Sequence, residues 1–345
     1  NDKIYLSALE GIAISATLEY FDKIFYPTLQ QCMSLRDEYN LCDWAYASML
    51  DKFSQKYYGQ GNEATLLMAY LYMSSGYKMI LGKVESTLCL LFASESCLFG
   101  RTYLEIGENE YYIWGEVSPD SIEIIKLESS DAASMKMNIR TLPRLENKPT
   151  DARQLKSKVG SISATVSVNS NLVEFYNDYP RFFNSPDIMT RWAIYANTPV
   201  ESSVRTTLYP DLKSQIAGMN RVQSLQELLY FVQTSFEYKL DDEVWGEDRP
   251  FFAEESLFYD YCDCEDRSIL FSRLVRDLLG MKVILVFYPG HLATAVKIDE
   301  EIPGDYISMA DGDYIICDPT YIGAPIGATM TDMDNSKAKV ILLKE

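Results

Sequence analysis

Histidine is nearly absent from this chain: His291 is the one imidazole among 345 residues. Positive charge is also short, with 31 Lys and Arg against 50 Asp and Glu for a formal net charge of −19. That balance excludes nucleic acid as a natural partner, since phosphate binding needs a basic surface. It equally disfavours an anionic membrane surface. No apolar run reaches the roughly 20 residues that a membrane span requires. Cysteine is present but odd in number, at seven, which is not the pattern of a disulfide framework. Cys89 in TLCLLF and Cys317 in YIICDP read as buried free thiols. The chain opens on Asn-Asp-Lys rather than Met, as expected if a leader had been removed or the ends trimmed. Compartment therefore stays open, an exported or envelope location included, and so does oligomeric state.

What is present is a large apolar fraction, 47%, with 13% aromatics, enough for packed cores. The pattern predicts an α+β protein in three regions. Residues 1–117 read as an α+β region. LCDWAYASMLDKFSQKYY and ATLLMAYLYMSSG carry helical spacing and Gly76 stops the second helix. TLCLLFA, RTYLEI and EYYIWGEV follow as strands. Residues 118–215 read as a β-rich middle module, from IEIIKL, SMKMNIRTL, SISATVSVN, RWAIYANT and SSVRTTLYP, with Leu145 to Lys158 as an exposed loop. Residues 216–345 form the third region. There Ser224 and Glu227 suggest a capping box before a helix lined by Leu225, Leu228, Leu229, Val232 and Phe236. A second helix, SILFSRLVRDLLG, ends at Gly280, and KVILVFY, HLATAVKI and DYIICDPTY follow as strands.

Three residues of the third region suit one chemistry. Cys264 lies in a polar turn at a helix start, where the dipole and unpaired N–H groups favour thiolate. His291 opens a strand directly after a Pro-Gly turn. Asp318 ends a later strand before a proline, and antiparallel pairing would set it against His291 and fix the tautomer. Nucleophile, general base and orienting carboxylate in this relation form a cysteine triad.

The same text, DCEDRSILFSRLVRDLLG, then HLATAV, then DPTY, resembles the transglutaminase-like superfamily over roughly residues 222–323. These are relatives of papain with a rearranged chain order. In that family the Cys opens a helix, the His opens a strand and the Asp closes the next, matching Cys264, His291 and Asp318. The resemblance implies a papain-like C-terminal domain and a cysteine-dependent amide hydrolase or acyltransferase, acting on a peptide or protein substrate without a cofactor. It also admits a catalytically inactive binding or assembly protein. Two positions depart from the common pattern. Tyr-Cys-Asp precedes Cys264 where glycine is frequent, and Leu292 follows His291 where Ala or Ser is usual.

Further readings surround the triad. The Cys264 backbone N–H is a natural oxyanion donor, with Trp245, Tyr259 and Tyr261 as candidates for a second. Tyr288 and Tyr321 are candidates to line a cleft. Asp266 and Arg267 read as structural first-turn residues. A zinc site from Cys262, Cys264, His291 and Cys317 is disfavoured, because Cys317 should alternate to the strand face opposite Asp318. Finally, Gln60 to Lys78 aligns with Cys264 to Lys282, sharing Leu66, Gly76 and Lys78 with Leu270, Gly280 and Lys282. The N-terminal region then reads as a degenerate copy in which Gln60, Cys97 and Glu116 fall near the three triad positions.

Overall fold

The computed structural model describes residues 4–5, 8–115, 122–125, 132–183 and 189–344. It is a mixed α+β protein that divides into two compact units: residues 1–144 with 180–187, and residues 145–179 with 188–345. The expected middle module, 118–215, is not a third unit but is shared between these two. Its β-rich reading fails for a physical reason. RWAIYANT forms a helix whose buried residues, Trp192, Tyr195 and Ala196, recur at helical spacing. SSVRTTLYP begins another helix, in which the stripe Val204, Leu208, Leu212 and Ile216 runs on past Pro210. The expected loop at 145–158 contains a strand, Arg153–Lys156, paired antiparallel with Ser163–Val166.

In the first unit, helices α1 (Ala8–Glu38), α2 (Asp43–Tyr58) and α3 (Asn62–Ser74) precede most of the sheet. Gly76, at φ +92°, adopts a backbone conformation costly for other residues and turns the chain out of α3. The sheet strands are β1 (Ile4–Tyr5), β2 (Met79–Val84), β3 (Thr87–Ala93), β5 (Tyr103–Ile106), β6 (Asn109–Ile113) and β7 (Glu123–Ile125), in the order β1-β7-β2-β3-β6-β5. The intervening β4 (Cys97–Leu98) pairs instead with Phe182–Phe183. Cys97 therefore does not open the strand after the α3 hairpin, as the alignment with the histidine position implied. Gln60 lies two residues before α3 begins at Asn62. Glu116 lies outside the described residues.

The second unit is built around α7 (Arg221–Ser235) and α10 (Cys264–Leu279). Between Pro180 and α7 come α5 (Thr190–Asn197) and α6 (Ser202–Ile216), preceded by α4 (Ser170–Asp178). Helix α7 starts four residues earlier than expected, because Asn220 and Gln223 form its capping box. Ser224 is inside the helix, and Glu227 instead accepts from Ser161. Gly280, in the left-handed conformation at φ +62°, ends α10 as expected.

Counted in chain order, the short strands are β8 (Arg153–Lys156), β9 (Ser163–Val166), β10 (Phe182–Phe183), β11 (Glu237–Tyr238) and β12 (Tyr261–Cys262), and the short helices are α8 (Asp241–Val244) and α9 (Ala253–Phe258). Five strands follow α10: β13 (Val283–Tyr288), β14 (His291–Lys297), β15 (Tyr306–Met309), β16 (Gly312–Cys317) and β17 (Lys339–Leu342), in the order β15-β16-β14-β13-β17. All pairings are antiparallel. One sheet face, carrying Val283, Val296, Ile315 and Cys317, packs with Leu228 and Val232 of α7 and Leu270, Phe271 and Leu274 of α10. Each such side chain contributes about 1.5–3 kcal/mol relative to exposure. The other face gathers Ile284, Val286, Tyr288, Ala293 and Ile316.

The two sheets share a plan. In each unit a helix (α3 or α10) packs on an antiparallel hairpin (β2–β3 or β13–β14). The second strand of that hairpin pairs with the second strand of another (β5–β6 or β15–β16), while the first pairs antiparallel with a later strand (β7 or β17). Among the described residues, no helix is long and apolar enough to cross a membrane.

Candidate active site

Helix α10 begins at Cys264 because its own acids organise the turn. Asp266 accepts from the backbone N–H of Asp263 at 3.3 Å and, with its other oxygen, from that of Phe251 at 2.8 Å. Arg267, 1% exposed, donates to the carbonyls of Gln233 and Phe236. Both are structural, as the sequence suggests. One turn on, Ser268 donates to the Leu292 carbonyl at 2.9 Å, fastening α10 to β14.

His291 is presented by the hairpin. Gly290, at φ +80°, lets the chain reverse within two residues, and Tyr288 pairs with His291 directly across that turn. On β16, Cys317 is paired with Thr294, so Asp318 falls one step beyond, on the sheet face that carries His291 and Ala293. The result is a hydrogen bond of 2.8 Å between His291 Nε2 and Asp318 Oδ2, with both residues buried. An ionised Asp318 accepts from Nε2–H and leaves the lone pair on Nδ1.

Asp318 is itself held on every side. Its Oδ1 accepts from the Thr320 backbone N–H and hydroxyl, each at 2.8 Å. Its carbonyl accepts from Gln233 Nε2 at 3.0 Å and from the Tyr321 N–H at 3.3 Å. Gln233, fully buried on α7, also donates to the Ala324 carbonyl and accepts from the Gly323 N–H. Gln233 and Thr320 were not singled out from the sequence. Gln233 is separated from Asp318 by 85 positions, so no local pattern signals it.

Cys264 lies one turn before Ser268 on the helix fastened to β14, near enough for the Leu292 backbone N–H to act on its thiol. Its thiol donates to Glu265 Oε2 at 3.1 Å rather than to the imidazole. Burial holds the thiol well above its ordinary range, the neighbouring Glu265 and Asp263 carboxylates push it further, and the Leu292 N–H opposes them. The expectation of a helix-start thiolate is thus reversed: in this arrangement desolvation and two adjacent carboxylates outweigh the helix dipole.

The aromatic candidates separate into two groups. Tyr288 belongs to the site. Its ring lies parallel to His291, with centroids 6.3 Å apart, while its hydroxyl donates to Asn335 at 2.6 Å. Tyr321 adjoins the site through its backbone bond to Asp318. Trp245 and Tyr259 instead pack on each other and on Phe251, and the Tyr259 hydroxyl is spent on Asn177 at 3.0 Å. They build an aromatic cluster, so the reading of Tyr259 as an oxyanion donor is not supported. Tyr261 sits on the two-residue strand Tyr261–Cys262, with the Lys239 ammonium 4.8 Å from its ring centre.

Among the described residues, Cys262, His291 and Cys317 join none of the groupings of side chains able to hold a metal ion. Cys317 packs on the helix-covered face of the sheet, opposite Asp318, as its strand position implies. Burial raises the Cys262 thiol to about 12. Comparison of the chain with family models, with curated proteins and with solved structures finds no match.

Proposed function

We propose that the second unit is a transglutaminase-like, papain-related domain acting as a cysteine-dependent amide hydrolase or acyltransferase on peptide or protein substrates. The observation that carries this reading is the 2.8 Å His291–Asp318 bond, with His291 opening the strand to which Ser268, one turn after Cys264 on α10, is fastened at Leu292. In the reaction, His291 Nδ1 takes the thiol proton as the sulfur attacks the amide carbonyl carbon. The C–N bond breaks, and the imidazolium returns the proton to the departing amine. The thioester then passes its acyl group to water or to a second amine, regenerating the thiol. The Cys264 backbone N–H is the proposed oxyanion donor. For this cycle the thiol must exchange its Glu265 hydrogen bond for one to His291.

The rival reading is a non-enzymatic binding or assembly protein on the same scaffold. Its support is the buried thiol, bound to Glu265 and raised well above its ordinary range. One experiment separates the two: the pH dependence of Cys264 alkylation by iodoacetamide, followed by mass spectrometry, with and without candidate amide substrates. Substrate-promoted labelling near neutral pH that is lost in His291→Ala supports the enzyme. Slow labelling that neither substrate nor the mutation alters supports the scaffold.

We further infer that the first unit is a catalytically inactive copy of the second. Its support is the shared strand order and one matching contact. Asn62, which opens α3, accepts from the N–H of Leu88, the second residue of β3, just as Cys264 at the start of α10 meets the N–H of Leu292, the second residue of β14. On this mapping Asn62, Thr87 and Gly115 stand where Cys264, His291 and Asp318 stand in the second unit, and none of the three can serve as nucleophile with a base.

A further inference from the structure

Three consecutive side chains at the start of α10 converge. One carboxylate oxygen from each of Asp263 and Glu265 and the Cys264 sulfur lie within 4.8 Å of one another, and all three residues are buried. Asp263 is 6% exposed, and its Oδ1, shielded from solvent, has no hydrogen-bond partner. An orphaned carboxylate oxygen in such surroundings is costly unless a proton or a cation neutralises it. Asp241 adds to the negative field, grouping within the same distance with Asp263 and Asp266, and separately with Glu265 and Asp248. The nearby cations are engaged elsewhere. Arg267 donates to two backbone carbonyls, Arg249 pairs with Glu255, and Arg191 pairs with Asp248.

We propose that Asp263, Cys264 and Glu265 form a Zn2+ site in which the ion takes the Cys264 sulfur out of nucleophilic use. The donor set selects the ion. A thiolate beside two carboxylates suits borderline-soft Zn2+ rather than the all-oxygen cages of Ca2+ or Mg2+. Three protein ligands leave a fourth tetrahedral position for water or for Asp241. On binding, the Cys264 S–H proton passes to solvent and an S–Zn bond replaces it, with no change of oxidation state. Proton competition makes affinity fall as the solution is acidified. The binding stands apart from the catalytic proposal; only its inhibitory consequence rests on it.

The test is titration of the full chain with Zn2+ against a chromophoric chelator, and with Co2+ as a spectroscopic substitute. The expected result is one tight site per chain, with a thiolate-to-cobalt charge-transfer band that Cys264→Ser abolishes. Asp263→Asn and Glu265→Gln should each weaken Zn2+ by about tenfold or more, and Zn2+ should slow alkylation of Cys264. Circular dichroism and thermal melting establish that the variants are folded, and using two carboxylate variants keeps the test decisive if one fails to fold. A charge-transfer band that survives in Cys264→Ser, unchanged affinity in both folded carboxylate variants, or absence of binding overturns the proposal. Zn2+ binding by a chain that shows no amide chemistry when stripped of metal would sink the enzymatic reading and leave the site standing, and amide chemistry without Zn2+ binding would do the reverse.

Discussion

His291 opens β14 and Asp318 directly follows β16, yet they meet at 2.8 Å through Nε2 and Oδ2, while Thr320 holds the other carboxylate oxygen. The bond fixes the imidazole as the Nε2–H tautomer, the form that leaves Nδ1 able to accept a proton. Because His291 is the one histidine in the chain, its 15N resonances report this directly without assignment. Wild type should show a single Nε2–H tautomer. Asp318→Asn offers an amide that can rotate to donate instead, and a mixed or inverted tautomer is expected. An unchanged spectrum in the variant would mean that Asp318 does not set the ring.

Glu265 is the nearest obstacle to a reactive Cys264, since its carboxylate both accepts the thiol hydrogen bond and repels the thiolate. Burial is the larger cause of the raised thiol and persists in any variant, but Glu265 is the largest charge acting on it. Glu265→Gln keeps the shape and removes the charge. Alkylation of Cys264 near pH 8 should accelerate by about tenfold. A rate equal to wild type would assign the raised thiol to desolvation alone.

Much of this site was legible before any fold was known, and the reason is punctuation. Gly280, the Pro289-Gly290 turn and the apolar run Val283 to Tyr288 bound α10, β13 and β14, and strand periodicity then places Asp318 on the face of His291. Contacts made through distant sequence left no such mark. Gln233, Thr320 and the Leu292 N–H have no local signature. The acids beside Cys264 are visible in Asp-Cys-Glu-Asp, but the burial of the thiol is not, and burial first, with Glu265 and Asp263 after it, reverses the protonation expected at a helix start. In the 118–215 segment the error has a different origin. Helical stripes such as Trp192, Tyr195 and Ala196 are too short to outvote β-branched composition, and Pro210 looks like a terminator although α6 continues to Ile216. The shared plan of the two sheets was suggested by three identities around α3 and α10, but the strand matched to β14 is β3, not the segment around Cys97.

Gln233 joins α7 to the loop after β16 by three hydrogen bonds, two of them buried and the one to Gly323 partly so. Gln233→Leu preserves much of the volume, strands the Ala324 carbonyl, takes the Gly323 N–H's partner and leaves the Asp318 carbonyl with the Tyr321 N–H alone. Buried groups left unpaired cost about 1–3 kcal/mol each, and local relaxation recovers part of it, so a loss on the order of 2–4 kcal/mol is expected. Urea denaturation measures it. A loss below about 1 kcal/mol would show that the loop after β16 is held by its own turns.

Stability should also fall as pH rises across the range where other buried carboxylates ionise. Burial raises Glu254 to about 7, against the opposing bond from the Glu201 N–H, and raises Asp241 to about 7 against the N–H of Arg249. Both sit above their ordinary values of 4.5 and 3.8, so between about 4 and 7 the folded chain binds more protons than the unfolded one. The resulting stabilisation is complete below the unfolded values and is lost as pH climbs through the folded ones. Unfolding free energy by urea should be greater at pH 5.5 than at pH 8, by on the order of 1–3 kcal/mol from these two groups together. Glu254→Gln keeps an acceptor for the Glu201 N–H and removes the ionisation, so it should flatten part of that slope. A slope that is level in wild type, or undiminished in the variant, would mean that water reaches Glu254 and that its burial carries no such cost.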